Sequence, residues 1–204
     1  PSALHSFFEV AFFISAVWMS GFIGKNSQAA NQIALNLSSM TYMVALGVGV
    51  AAMIRVGNQR GMMNFKKLRE VALSTILLII SIDVIFCMIF LFFNDFLPLL
   101  YLDPNNPSSL NDVNQVLEIA SKLLIVAGVF QLFDGIQAVV LGALRGMQDV
   151  NKPAIIIFLS YGVIGFPISY YLGFYTSLSM VGIWLGLLSG LFSSSLFLFL
   201  RFNY

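Results

Sequence analysis

Six stretches of apolar residues, each long enough to cross a lipid bilayer, limit what this 204-residue chain can fold into. The hydrocarbon core takes about 20 apolar residues as helix. Between charged or turn-rich punctuation the runs cover roughly 4–24, 29–56, 71–93, 114–144, 153–173 and 180–200. The second and fourth exceed the minimum and are expected to tilt or to project into water as helix. Strands do not fit, because the runs lack the two-residue alternation of a membrane barrel and are far longer than its strands. The first run is no cleavable signal peptide, having no basic start, an acid within it and no small-residue cleavage site. The expected fold is an all-α polytopic membrane protein, a bundle of six transmembrane helices.

Composition agrees. Charged residues make up 9% of the chain and hydrophobic ones 59%, against about 25% charged in soluble domains, which argues against a soluble enzyme. Twenty Phe oppose disorder, and a single Cys forbids an internal disulfide. A net charge of +1 provides no polycationic surface for nucleic acid.

The basic residues orient the bundle, since short cytoplasmic connections are rich in Lys and Arg. Taking alternate connections, one side holds Arg55, Arg60, Lys66, Lys67, Arg69, Arg145, Lys152 and Arg201, the other only Lys25 and Lys122. The first side is therefore expected to be cytoplasmic, with both chain ends there. The opposite side carries an acidic region around Asp95, Asp103, Asp112 and Glu118, with Pro98, Pro104 and Pro107 in a turn-rich loop. A short interfacial helix is expected over 96–102.

Small residues mark where helices approach closely in lipid. Gly182, Gly186 and Gly190 recur every four residues in the last run, and Gly142 and Gly146 close the fourth. Gly162, Gly165 and Pro167 interrupt the fifth, an irregularity tolerated at membrane depth where neighbouring helices or a water-filled cavity satisfy the freed backbone groups.

Acids inside such runs are costly, about 2.5 to 3.5 kcal/mol each on insertion scales, and point to function. Glu9 lies about 7 to 8 Å into the first run and Asp134 about 15 Å from Arg145, while Asp83 is central in the third run. No Lys or Arg shares their depth, so each carboxyl must take up a proton or hold a cation. Gln131 and Gln137 flank Asp134 three residues to each side, giving a polar helix flank that suits a hydrated cavity. Gln28, Gln32, Asn36, Ser39 and Tyr42 form one stripe on the second helix and should face the same cavity. Asp83 has Ile76, Ile79, Ile80 and Cys87 on its side, leaving packing and functional roles equally open. Other chemistry is thin: His5 is the only histidine, Cys87 has no local base, and Ser193 to Ser195 have no acid or histidine nearby. Phe7, Phe8, Phe12 and Phe13 surround Glu9 and suit lipid-facing packing better than a cation-attracting wall.

Three stretches resemble a known family. QAANQIALNLSSMTYMVALGVGVAAMIRVGN is similar to the seventh-to-eighth helix region of the multidrug and toxic compound extrusion (MATE) transporters, particularly the NorM-like branch. FQLFDGIQAVVLGALRGMQDVNKPAII resembles their tenth helix and its cytoplasmic turn, and YGVIGFPISYYLGF their eleventh. The resemblance runs over essentially the whole chain. It implies a cation-coupled antiporter with twelve helices in two lobes, of which residues 1–204 would be the C-terminal lobe, helices seven to twelve. Glu9 then matches the family acid on helix seven, Asp134 the acid on helix ten, and Tyr42 the aromatic beside the cation site; Gln32 and Asp112 fall near substrate-contacting positions, with Asn36 on the same stripe. Asp83 has no assigned counterpart. With no initiator Met and helices for one lobe, the chain is expected to be a fragment lacking the N-terminal lobe, or alternatively a half-transporter whose six helices dimerise.

The resemblance implies efflux of cationic drug-like molecules across the inner membrane in exchange for Na+ or H+, without cofactor or enzymatic activity. Glu9 and Asp134, with the Tyr42 hydroxyl and nearby carbonyls, would hold Na+; a proton would need only the carboxylates. Lipid and the N-terminal lobe are the other expected partners. A lipid-linked oligosaccharide flippase of the same superfamily is the alternative, although it would call for basic residues in mid-span, and so is a passive channel or structural subunit.

Overall fold

The computed structural model describes residues 2–102 and 110–203, with side chains over 7–102 and 111–203. Asp103, Pro104 and Pro107 and the side chain of His5 lie outside these residues. All the regular structure described is helical. The six spans are α1 (Ser2–Ile23), α2 (Lys25–Gly61), α3 (Phe65–Phe92), α4 (Leu110–Gly146), the composite of α5 (Asn151–Phe158) and α6 (Phe166–Phe174), and α7 (Ser179–Asn203). The two long helices, α2 and α4, each have 37 residues, about 55 Å at helical rise. Both run about a turn beyond the apolar stretches 29–56 and 114–144, α2 at both ends and α4 at its start, because their polar ends continue the helix into water.

The connections follow from local chemistry. Gly24 alone joins α1 to α2 at φ 152°, in the region where a side chain would be strained. Asn64 starts α3 by accepting the Lys67 N–H on its side chain at 3.1 Å, a helix N-cap. The helix expected over 96–102 is a shorter 3-10 turn, Leu97–Leu100, with Pro98 in its first positions. The irregularity that Gly162, Gly165 and Pro167 mark in the fifth span is a change of helical register and not an unwound stretch. Residues Leu159–Gly165 widen into a π-helical turn between α5 and α6. There the Phe166 N–H reaches the Tyr161 carbonyl, re-registering the ladder just before Pro167, which has no N–H to donate.

Cross-links at the ends show that successive helices alternate in direction. At one end Arg201 pairs with Asp149 at 2.9 Å and the Arg69 guanidinium donates to Asn203 at 3.3 Å. At the other, the Asn26 amide donates to Asp112 and Gln115, and Ser121 donates to Asp95. The first cluster lies on the side rich in basic residues, the second on the acidic side.

Helix α4 is the central post, packed by α2, α3 and α7. The glycines predicted to be seams are seams. A Cβ on Gly49 would stand 2.8 Å from the Ala138 carbonyl oxygen, and one on Gly142 would run into Gly49 itself, so α2 and α4 meet backbone on backbone. On α7, Gly182 faces Leu172, Gly186 faces Ser169 and Gly190 faces Gly165. Close approach of this kind supplies dispersion contacts where lipid removes the hydrophobic drive.

Candidate functional site

Helices α1, α2, α4 and α7 enclose a cavity of about 520 Å³. From α1 it takes Glu9, Val10 and Phe13; from α2, Gln32, Leu35, Asn36, Ser38, Ser39, Tyr42 and Leu46; from α4, Phe130 and Asp134; and from α7, Trp184. Two of the three acids singled out by their depth, Glu9 and Asp134, thus share one space. The Tyr42 hydroxyl donates to Glu9 Oε1 at 3.1 Å, linking α2 to α1 across it. Asp134 is 6% exposed and its Oδ1 has no protein partner. Among the described residues no Lys, Arg or His lines the wall.

The stripe on α2 mostly faces the cavity as its spacing predicted: Gln32, Asn36, Ser39 and Tyr42 line it. Gln28 does not, lying a turn nearer the helix start beside Gly21. The amides flanking Asp134 are a correction. Three residues either way on a helix is a rotation of about 60°, enough to turn both from the cavity into the bundle. Gln137 donates to the Tyr161 hydroxyl at 2.7 Å and accepts from it at 2.9 Å, while Gln131 is 3% exposed without a partner.

Asp112 also lies elsewhere. It caps the outer end of the bundle, 3.2 Å from the Asn26 amide, and is no part of the cavity wall. Asp83 is 2% exposed and is no part of this cavity wall. Of the phenylalanines near Glu9, Phe13 lines the cavity, Phe12 stacks on Tyr161 with centroids 4.7 Å apart, and Phe7 is exposed.

Phe130 and Trp184 were not legible as site residues. Both are large apolar side chains in apolar helices, and the rotation that turns them to the cavity comes from packing. Trp184 is held by its indole N–H, which donates to Asn31 Oδ1 at 2.9 Å, and by an edge-on contact with Phe130. The Tyr101 hydroxyl, donating to Asn36 Oδ1 at 3.3 Å, reaches the polar stripe from the outer connection. Among the described residues no group of three His, Cys, Asp or Glu side chains is placed to hold a metal ion. A Na+ ion at Glu9 and Asp134 would therefore depend on hydroxyl, amide and carbonyl oxygens to complete its shell.

Six helical spans, four of them lining a cavity with two acids, define a polytopic α-helical membrane protein built as one helical lobe. The MatE family model matches residues 1–171, and the chain belongs to that family. It is 36% identical to a probable multidrug resistance protein NorM of Agrobacterium fabrum, over 99% of this chain and 43% of that protein. It is 34% identical to the multidrug resistance protein MdtK of Proteus mirabilis, over 96% of this chain and 42% of that one. A crystal structure of MATE in the bent conformation superposes with a TM-score of 0.87 at 18% identity, covering all of this chain and 43% of that one; at that identity the likeness speaks for the fold. The chain spans less than half the length of the relatives it matches.

Proposed function

We propose that the chain is the C-terminal lobe of a multidrug exporter that moves cationic drug-like molecules outward in exchange for Na+ or H+. One observation carries the reading: Glu9 and Asp134 share a single cavity that, among the described residues, holds no basic side chain, with the Tyr42 hydroxyl on Glu9. A cavity of about 520 Å³ is within the usual range for small-molecule sites. Phe13, Phe130, Tyr42 and Trp184 offer aromatic faces to an organic cation, and Gln32 and Asn36 offer polar contacts. Asp112, remote from this wall, has no contact role in the proposal.

The mechanism is competition within alternating access. One pair of carboxylates cannot hold a drug cation and the coupling ion strongly at once, so binding of either weakens the other by the same factor. The ion reaches the acids from outside, displaces the drug outward, and leaves on the inner side after the lobes reorient. The side bearing Arg55, Lys66, Lys67 and Arg145 is cytoplasmic by the positive-inside rule, and the membrane is the inner membrane. An N-terminal lobe completes the transport path beside this one, and lipid covers the remaining apolar surface.

The test uses the full-length transporter in proteoliposomes, with a Na+ gradient and a pH gradient imposed separately. Drug uptake against its own gradient is expected under at least one of them, and the double variant Glu9→Gln with Asp134→Asn is expected to abolish it. Transport by that double variant at the wild-type rate would sink the proposal. Leak of drug without exchange for either ion would instead identify a channel.

A further inference from the structure

The π-helical turn at Leu159–Gly165 directs Tyr161 into the bundle, where it is 2% exposed, while Leu159 and Val163 on either side face outward. The Tyr161 hydroxyl accepts from and donates to the Gln137 side chain of α4, at 2.7 and 2.9 Å. Its ring lies nearly parallel to that of Phe12 on α1, with 14° between planes and 4.7 Å between centroids. One side chain of the fifth span therefore holds two other helices. Each is held three residues after a cavity acid, since Gln137 follows Asp134 and Phe12 follows Glu9. Three residues are about 4.5 Å along a helix. Because α1 and α4 run in opposite directions, the bridge Phe12–Tyr161–Gln137 crosses the bundle between the levels of the two acids.

The hold on α1 is a socket. A Cβ on Gly165 would come to 2.5 Å from Phe12 Cζ, and one on Gly190 to 3.2 Å from Tyr161 Cδ1 and 3.3 Å from Phe12 Cζ, so the Phe12 ring sits between Tyr161 and two bare glycine backbones. Beside the socket the packing is open. A cavity of about 300 Å³ separates α1 from the fifth span, bordered by Phe8, Phe158 and Gly162 as well as by the stacked rings. Helix α1 has room to shift there, and its place is fixed by the seated ring. Further ties from α1 are the Tyr42–Glu9 hydrogen bond to α2 and the edge-on contact of Phe13 with Phe130 of α4 at 6.0 Å. The tie through Tyr161 ends on two buried hydrogen bonds, which fix direction as well as distance.

We propose that Tyr161 is a positioning residue for the cavity acids: pinned to α4 through Gln137 and seating α1 through Phe12, it sets the resting separation of Glu9 and Asp134, and so the grip of the cavity on an organic cation. The inference rests on those two acids being the cation site of the proposed function. Tyr161 is no part of the wall that holds them and acts on their gap alone. A cation held between two carboxylates loses attraction to one of them as they separate, so a loosened α1 weakens the hold.

The test uses the purified full-length transporter, with tetraphenylphosphonium as the probe and nitroxide labels on Ile14→Cys and Ile125→Cys in the Cys87→Ser background, measured in one buffer. Tyr161→Phe keeps the stacked ring and strands the Gln137 amide, so its melting temperature is expected to fall. Adding Gln137→Met removes the stranded partner and is expected to recover most of that fall. A tyrosine of purely structural value would recover its other properties with it. In Tyr161→Phe/Gln137→Met the label-to-label distance distribution is instead expected to stay broader than in wild type, and tetraphenylphosphonium to bind about fivefold more weakly. Phe12→Leu, which empties the socket and leaves both hydrogen bonds, is expected to broaden the same distance. A wild-type distance distribution or wild-type binding in Tyr161→Phe/Gln137→Met overturns the inference; should that variant fail to fold, an unchanged distance in Phe12→Leu does so. Wild-type transport by Glu9→Gln/Asp134→Asn would defeat the proposed function instead, and the label distances would still report on Tyr161.

Discussion

The Tyr42 hydroxyl donates to Glu9 at 3.1 Å, and removing it takes away a hydrogen bond to the carboxyl and, were the coupling ion Na+, one oxygen available to ligate it. Hydrogen bonds to charged groups contribute about 1.5 to 3 kcal/mol, so Tyr42→Phe is expected to move the ion concentration for half-maximal drug release by about tenfold or more. The sign identifies the ion: the concentration rises for Na+, which loses a ligand, and falls for H+, which meets a less stabilised carboxylate. An unchanged concentration would show the contact to be incidental. Glu9, Tyr42 and Asp134 were legible because a polar group at membrane depth is costly and must be used. Trp184, Phe130 and the inward turn of Gln131 and Gln137 were not, because each depends on how far a helix is rotated about its axis, and apolar helices carry little sequence record of that angle. The distance of Asp112 from the cavity was hidden for a related reason: an acid at a helix end reads the same whether it faces a cavity or, as here, the Asn26 amide.

At the level of elements, the glycines divide by what they face. Gly186 on α7 lies against the Ser169 backbone, whereas Gly47 on α2 has open space around it. Gly186→Val is expected to push α6 and α7 apart and lower the melting temperature of the detergent-solubilised protein by several degrees or prevent its isolation. Gly47→Ala should be neutral or stabilising by up to about 1 kcal/mol. Equal effects in thermal unfolding would contradict the seam. The four-residue repeat announced the α7 seam in advance. The π-helical turn at Leu159–Gly165 was visible only as trouble, since Gly and Pro in a span mark an irregularity without saying whether the chain unwinds or re-registers. Here Tyr161, anchored by Gln137 and stacked on Phe12, keeps the turn helical.

For the whole molecule, the division of charge predicts sidedness. Lys66 follows the α2–α3 turn, and Lys122 lies near the outer end of α4, paired with Glu118 at 2.6 Å; both are exposed. In a Cys87→Ser background, Lys122→Cys in intact cells should react with a membrane-impermeant thiol reagent, and Lys66→Cys only after the cells are opened. The reverse pattern would invert the orientation. The number of spans and their alternation were readable from hydrophobic length alone, whereas the central place of α4 depended on glycine contacts made between helices. That central contact has a mechanical consequence. Where α2 and α4 meet backbone on backbone at Gly49, Ala138 and Gly142, no side chain is left to change rotamer, so Tyr42 and Asp134 ride on one stiff frame. Glu9 rides on α1, joined to that frame by a single glycine and by side chains. The acids therefore form a caliper with one fixed jaw and one sliding jaw. Spin labels at Val44 and Ile125, in the Cys87→Ser background, should report one narrow distance whatever ion is present, and labels at Ile14 and Ile125 a distance that changes with it. If the first pair moves as much as the second, the frame is not rigid; if it holds, the gap between the two carboxyls is set by the travel of α1 alone.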